Sequence, residues 1–226
     1  MMSHIGVLGG MFDPIHNGHI EVAKFASESL SLDLIKLIPC CFPNHRAGAV
    51  SGADHRVAML ELATEDYGNL SIDAIEVYRD GISYSVDTLR ELKAQNPVSR
   101  IVFILGMDAF NGLNRWHEWE QLFQLCSLFV LARSGENVNC DVATEIDLLN
   151  RKVDSAESLL RREAGSVFVA EEFNYELSST IVRSKLSQGE DLSQELNEKV
   201  YSYICLLYTS DAADEGLGVD LGGRRI

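Results

Sequence analysis

The sequence predicts an α/β fold, a mainly parallel sheet with helices on both faces. Three observations carry that prediction. Short apolar runs alternate with segments of helical period along the chain, the pattern of repeated strand–helix–strand units. The first apolar run passes through a pair of glycines straight into a helical pattern, as parallel strands with crossover helices do. Polar clusters at 9–19, 39–46 and 106–108 follow three of the apolar runs, and ligands of such sheets bind beyond the carboxyl ends of the strands.

Taken in order, strand runs are expected at 5–8, 34–38, 70–74, 101–105, 128–131 and 167–169. Helical patterns lie between them. One covers 19–31, where Val22, Phe25, Ala26 and Leu30 recur at helical spacing. Others cover 54–65, with Met59, Leu62 and Ala63 on one face, then 85–95 and 107–124. Residues 134–165 are charged and poor in aromatics, so a loop and one or two surface helices are expected there. Helices at about 179–187 and 193–204 complete the folded part. Periodicity alone does not distinguish the possible strand orders.

The run Gly9-Gly10-Met11-Phe12-Asp13-Pro14-Ile15-His16-Asn17-Gly18-His19 is the most informative stretch of the chain. It sits on a strand-to-helix turn with Gly18 and His19 near the helix start. Unpaired backbone N–H groups and the positive end of the helix dipole favour a phosphate at such a place. Glycines let the backbone approach a ligand closely, and the imidazoles of His16 and His19 can both turn toward a bound anion. This is phosphate handling without a Walker lysine.

With 34 acidic and 19 basic residues the chain carries a formal charge of −15, which argues against nucleic acid or an anionic membrane as partner. Phosphorylated small molecules remain compatible with a locally basic site or a divalent cation. The five cysteines show no C-x-x-C and no paired metal spacing. The opening residues lead directly into a strand without a secretory apolar region, and no apolar run is long enough to cross a bilayer. A reducing cytoplasm is the expected setting.

The His16-Asn17-Gly18-His19 element resembles the H-x-G-H signature of the adenylyl- and cytidylyltransferase superfamily. Further segments follow in a fixed order: Pro43-Asn44-His45-Arg46, Arg56 before Met59-Leu60-Glu61-Leu62-Ala63, Ser83-Tyr84-Ser85, and Gly106-Met107-Asp108. Trp116-His117-Glu118-Trp119, Ala132-Arg133 and Ser178-Ser179-Thr180-Ile181-Val182-Arg183 complete the set. Over about residues 4–204 the chain thereby resembles the bacterial nicotinate-nucleotide adenylyltransferases. The resemblance implies a Rossmann-like nucleotidyltransferase domain over 1–205. It also implies transfer of AMP from ATP to nicotinate mononucleotide, with Mg2+, giving nicotinate adenine dinucleotide and pyrophosphate in NAD biosynthesis.

By the same resemblance, His16, His19 and Arg183 are catalytic. The ATP site takes Gly9, Gly10, Met11, Phe12, His19, His45, Arg46, Gly106, Asp108, Ser179, Thr180 and Arg183. The mononucleotide pocket takes Ser85, Trp116, His117 and Arg133, and no side chain is assigned as a metal ligand. These assignments make chemical sense. Hydroxyls and an arginine at a helix start can clamp phosphates. His45 and Arg46 resemble a basic loop closing over the triphosphate, and the Asp108 carboxylate can accept from ribose hydroxyls. An indole face can stack on a pyridinium ring, while Arg133 can reach either a phosphate or the nicotinate carboxylate. Trp119 is expected in the core.

Met11 departs from the family pattern, which has a hydroxyl residue there; a thioether cannot touch a ligand phosphate, although the backbone N–H remains. Alternatives stay open: a sister nucleotidyltransferase acting on nicotinamide mononucleotide, phosphopantetheine or glycerol phosphate, or a non-catalytic nucleotide-binding protein. Residues 206–226 have neither helical nor strand period and end in clustered glycines. They read as a disordered, non-native tail.

Overall fold

A computed structural model of the chain describes residues 3–42, 49–133, 135–171, 173 and 177–217, with side chains described as far as 207. Six strands form one sheet: β1 His4–Gly10, β2 Leu34–Pro39, β3 Leu70–Ile72, β4 Arg100–Gly106, β5 Ser127–Leu131 and β6 Val167–Ala170. Their order is β3-β2-β1-β4-β5-β6, and every pairing is parallel. This is the Rossmann order, with its switch point between β1 and β4.

The helices are α1 Asn17–Leu30, α2 Ala53–Thr64, α3 Ile75–Tyr78, α4 Ser85–Gln95, α5 Met107–Phe110, α6 Trp119–Leu125, α7 Cys140–Glu145, α8 Leu148–Arg151, α9 Ala156–Leu159, α10 Ser179–Ser187 and α11 Glu198–Leu217. A 3-10 turn, Leu113–Arg115, lies between α5 and α6. Among the described residues no helix is long and apolar enough to cross a membrane.

Alternation along the strands divides the core in two. Leu8, Ile35, Leu37, Val102, Ile104 and Phe129 face α1, α2, α10 and α11 on one side. Ile5, Val7, Ile38, Phe103, Leu105, Leu128 and Val130 face α4 and α6 on the other. Successive residues of a strand point to opposite faces, so a strand covered on both sides reads as an unbroken apolar run. All six expected strands are present, and the central β4 and β5 show that burial most fully, while the edge strands β3 and β6 are partly exposed.

Three stretches differ from the sequence expectation. The single helix expected over 107–124 is α5, the 3-10 turn and α6, separated at Asn111-Gly112 and by Glu118, which takes a left-handed backbone with φ 48°. Asn and Gly are poor helix formers, and Phe110, Leu113 and Leu122 remain buried across the breaks. Between 134 and 165 there are three short helices, and they are not wholly superficial: Val142, Leu148 and Leu159 enter the core. At the other end, α11 begins at Glu198, where the Lys199 N–H bonds the Asn197 side chain at 2.8 Å. It runs past residue 204 to Leu217.

Candidate active site

The turn from β1 to α1 lies at the switch point, at the carboxyl edge of the sheet. Its conformation is set locally. Phe12 is fully buried with a left-handed backbone, φ 47°, a costly arrangement for a side chain of this size that persists where packing over-determines it. A Cβ at Gly10 would press on the Phe12 ring, with the nearest ring atom 3.1 Å away. His16 holds the N-cap position of α1 in extended conformation, its carbonyl accepting the His19 N–H at 2.9 Å, while the Asn17 N–H donates to the Glu195 carbonyl at 2.8 Å.

His16 and His19 stack with ring centroids 3.8 Å apart, and Phe12 packs edge-on against His19. The His16 N–H donates to His19 Nδ1 at 3.3 Å. The proton of a neutral His19 therefore sits on Nε2 and makes that nitrogen a donor. His16 is 5% exposed and its Nδ1 is buried without a hydrogen-bond partner. Burial depresses the His16 pKa to about 4. Burial first, and then the neighbouring His16 charge, hold His19 well below the ordinary imidazole value. Both rings are neutral near pH 7.

Helix α10 docks on the same turn. Arg183 donates to the Asp13 carbonyl at 2.5 Å and the Ser179 hydroxyl to the Pro14 carbonyl at 3.1 Å, while Thr180 accepts from Arg183 at 3.4 Å. Ser178, rather than Ser179 or Thr180, caps the helix, accepting from the Ile181 N–H. Neither Ser179 nor Thr180 is spent on the cap: their hydroxyls bond the Pro14 carbonyl and Arg183 instead. The structure thus joins His16, His19, Ser179, Thr180 and Arg183 around Gly9, Gly10, Met11 and Phe12. Gly106 caps α5 beside it, and Asp108 is exposed on the first turn of that helix. A Cβ at Gly106 would strike Asp108 Oδ1 at 2.8 Å. His45 and Arg46 lie outside the described residues.

Across the switch point, Ser85 opens α4, Trp116 meets Phe103 edge-on at 6.2 Å, and His117 lies on the Tyr84 ring at 4.3 Å. A cavity lined by Gly9, Ile38, Ser85 and Phe103 connects this region to the first turn. Trp119 packs on Phe123 as core. Arg133 stands apart, exposed just beyond β5 and within 4.0 Å of Glu136.

Several buried polar residues of the site carried no separate signal in the sequence. Asp13 accepts from the Val50 and Ser51 N–H groups at 2.6 and 3.2 Å. Arg56 is 2% exposed and donates to the Met11 and Cys40 carbonyls. Glu76 and Thr88 form a buried, hydrogen-bonded pair that lines the cavity. A charged residue inside an apolar helical face, as Arg56 is beside Met59 and Leu60, is the one cue that pointed inward.

Comparison with known proteins bears on the family and the fold. The cytidylyltransferase-like family model matches residues 7–185. The chain is 38% identical to a probable nicotinate-nucleotide adenylyltransferase of Shewanella pealeana, over 88% of this chain and 92% of that one. It is 34% identical to a protein of the same description from Pseudoalteromonas atlantica, over 88% and 91%. Among solved structures, the Plasmodium falciparum nicotinic acid mononucleotide adenylyltransferase complexed with NaAD superposes with TM-score 0.71 at 17% identity, over 92% of this chain and 98% of that one. At that identity the likeness is one of fold.

Proposed function

The chain belongs to the nicotinate-nucleotide adenylyltransferases of the cytidylyltransferase-like family, and we propose from that premise that it transfers AMP from ATP to nicotinate mononucleotide. The products are nicotinate adenine dinucleotide and pyrophosphate. The observation that carries this reading is the convergence of His16, His19 and Arg183 on one helix-start turn.

A phosphate oxygen of the mononucleotide attacks the α-phosphorus of ATP, and the bond from that phosphorus to the pyrophosphate oxygen breaks. Phosphate monoesters are already largely dianionic near pH 7, with a second pKa of about 6, so no general base is required. The task is to hold two anions in line and stabilise charge on the transferred group. His19, with Nε2–H as donor, and His16 at the helix start suit that charge as neutral, preorganised donors. Arg183, Ser179 and Thr180 suit the departing phosphates. His45, Arg46, Gly106 and Asp108 are assigned to ATP, and Ser85, Trp116, His117 and Arg133 to the mononucleotide.

Among the described residues no three His, Cys, Asp or Glu side chains are placed to hold a metal ion, and the groups facing the phosphate site are donors. Mg2+ fits this site as part of the nucleotide substrate, held by phosphate oxygens and water, where it neutralises the triphosphate. All five cysteines are free, in keeping with a reducing cytoplasm.

Pyrophosphate release with ATP and a series of mononucleotides tests the reading. Nicotinate mononucleotide should exceed its amide by at least about tenfold in kcat/KM. A carboxylate on the N–H groups near Ser85 and His117 gains a charge-assisted hydrogen bond that the amide only partly replaces. EDTA should stop turnover. Equal rates with acid and amide would overturn the substrate assignment, and full turnover in EDTA would remove the ion.

A further inference from the structure

Among the residues that line the cavity, beside Ser85 and Phe103, is a buried carboxyl group that the transfer step does not use. Glu76 of α3 is 7% exposed. Thr88 of α4 donates to its Oε1 at 2.7 Å and accepts in turn from Arg79 at 2.7 Å. The side chains of Ser83 and Cys40 lie close enough to Glu76 to favour its charged form. Glu76 is therefore bonded by the Thr88 hydroxyl and neighboured by a second hydroxyl and a thiol.

The Ser83 hydroxyl shows why a donor is left over. Its oxygen already accepts the Cys41 and Phe42 N–H groups, both at 3.3 Å, and the Ser83 N–H returns a bond to the Phe42 carbonyl at 2.9 Å. The hydroxyl's one proton is then free to point at Glu76. Thr88 is in the same position, because its oxygen receives Arg79. Only an acceptor-only group satisfies these donors together, and an ionised carboxylate is the side chain of that kind. Burial pushes the Glu76 pKa up, while the Thr88 hydrogen bond and the Arg79 charge work against that rise.

The bonds join two segments that approach the site from different directions. Cys40–Phe42 is the chain leaving β2 on the triphosphate side, and Ser83–Ser85 enters α4 at the mononucleotide side. We propose that Glu76 is a positioning residue for the reaction. It latches Ser83–Ser85 to the root of the β2 loop, and so sets the backbone donors at the start of α4 against the pyridine ring bound on Trp116. This rests on the assignment of Ser85, Trp116 and His117 to the mononucleotide.

Glu76→Gln keeps the shape but turns one acceptor into a donor facing a donor. It should raise the KM for nicotinate mononucleotide about tenfold, as loss of a charge-assisted bond does, while kcat and the KM for ATP stay within about threefold. Ser83→Ala, a smaller change, should act in the same direction. The double variant should be no worse than Glu76→Gln alone, because both break one latch. Amide exchange at Cys41, Phe42 and Ser83 should accelerate in Glu76→Gln, a readout that needs no substrate. Unchanged exchange and KM, additive losses, or an equal fall in kcat with a lower melting temperature would each overturn the latch. Accelerated exchange in a protein that does not turn over nicotinate mononucleotide would keep the latch and overturn the substrate assignment.

Discussion

The phosphate end and the mononucleotide end of this site are built in opposite ways. The phosphate end comes from one contiguous run, Gly9 to His19, whose shape is fixed by the buried left-handed Phe12 and the His16 cap and closed by one docked helix, α10. The mononucleotide end gathers Ser85, Trp116 and His117 from separate stretches and rests on Phe103, Tyr84 and the Glu76 network. A contiguous turn places donors by backbone geometry, so deleting one side chain removes a donor and leaves the frame. A gathered pocket holds its shape only through packing and long-range hydrogen bonds, so substitution there changes affinity and choice of substrate. The comparison predicts a division of labour: transition-state work at the turn, selection at the pocket.

The largest expected effect lies at the turn. His16→Ala should lower kcat by about 10²–10³, the usual consequence of removing one preorganised donor, while cooperative thermal unfolding is retained. Steady-state kinetics beside a melting curve checks both parts. A loss of activity that merely tracks loss of folding would erase the distinction between the two ends.

A smaller effect tests how far the backbone of the turn suffices. Met11 stands where the family pattern has a hydroxyl, and its carbonyl is already held by Arg56 at 2.8 Å. Met11→Thr should raise kcat/KM by about two- to tenfold, the worth of one recovered hydrogen bond of roughly 0.5–1.5 kcal/mol. No gain would mean that the backbone N–H groups already meet the whole demand.

The smallest effect is expected farthest from both ends. Helix α11 contributes Val200 and Ile204 to the core and runs on to Leu217. Residues beyond 208 are proposed as a non-native extension that supports neither end of the site. Truncation after Tyr208 should leave kcat/KM and the melting temperature essentially unchanged, and limited proteolysis should cut this region first. A drop of several degrees would make it part of the fold.

The same contrast explains what could be read from the chain. The strands were legible because burial on both faces gives unbroken apolar runs, and the turn because its residues are adjacent. The breaks between α5 and α6 were hidden because Phe110, Leu113, Trp116 and Trp119 repeat every three residues and imitate a helical stripe. Glu76 and Arg56 were not legible as site residues: their partners lie 12 and 45 residues away in Thr88 and Met11, and only the folded sheet brings them together. The charged stretch 134–165 read as a surface because its helices are too short to show a period, although each delivers one residue to the core.

The central claim, that the turn acts on the transition state and the pocket on the substrate, is tested most directly by kcat and KM for nicotinate mononucleotide in His19→Ala and Trp116→Ala measured side by side. The account predicts a crossed result. His19→Ala should lose about two decades or more in kcat with KM nearly constant, and Trp116→Ala should raise KM by about tenfold or more with kcat nearly constant. A His19→Ala variant with normal kcat and only a raised KM would contradict it.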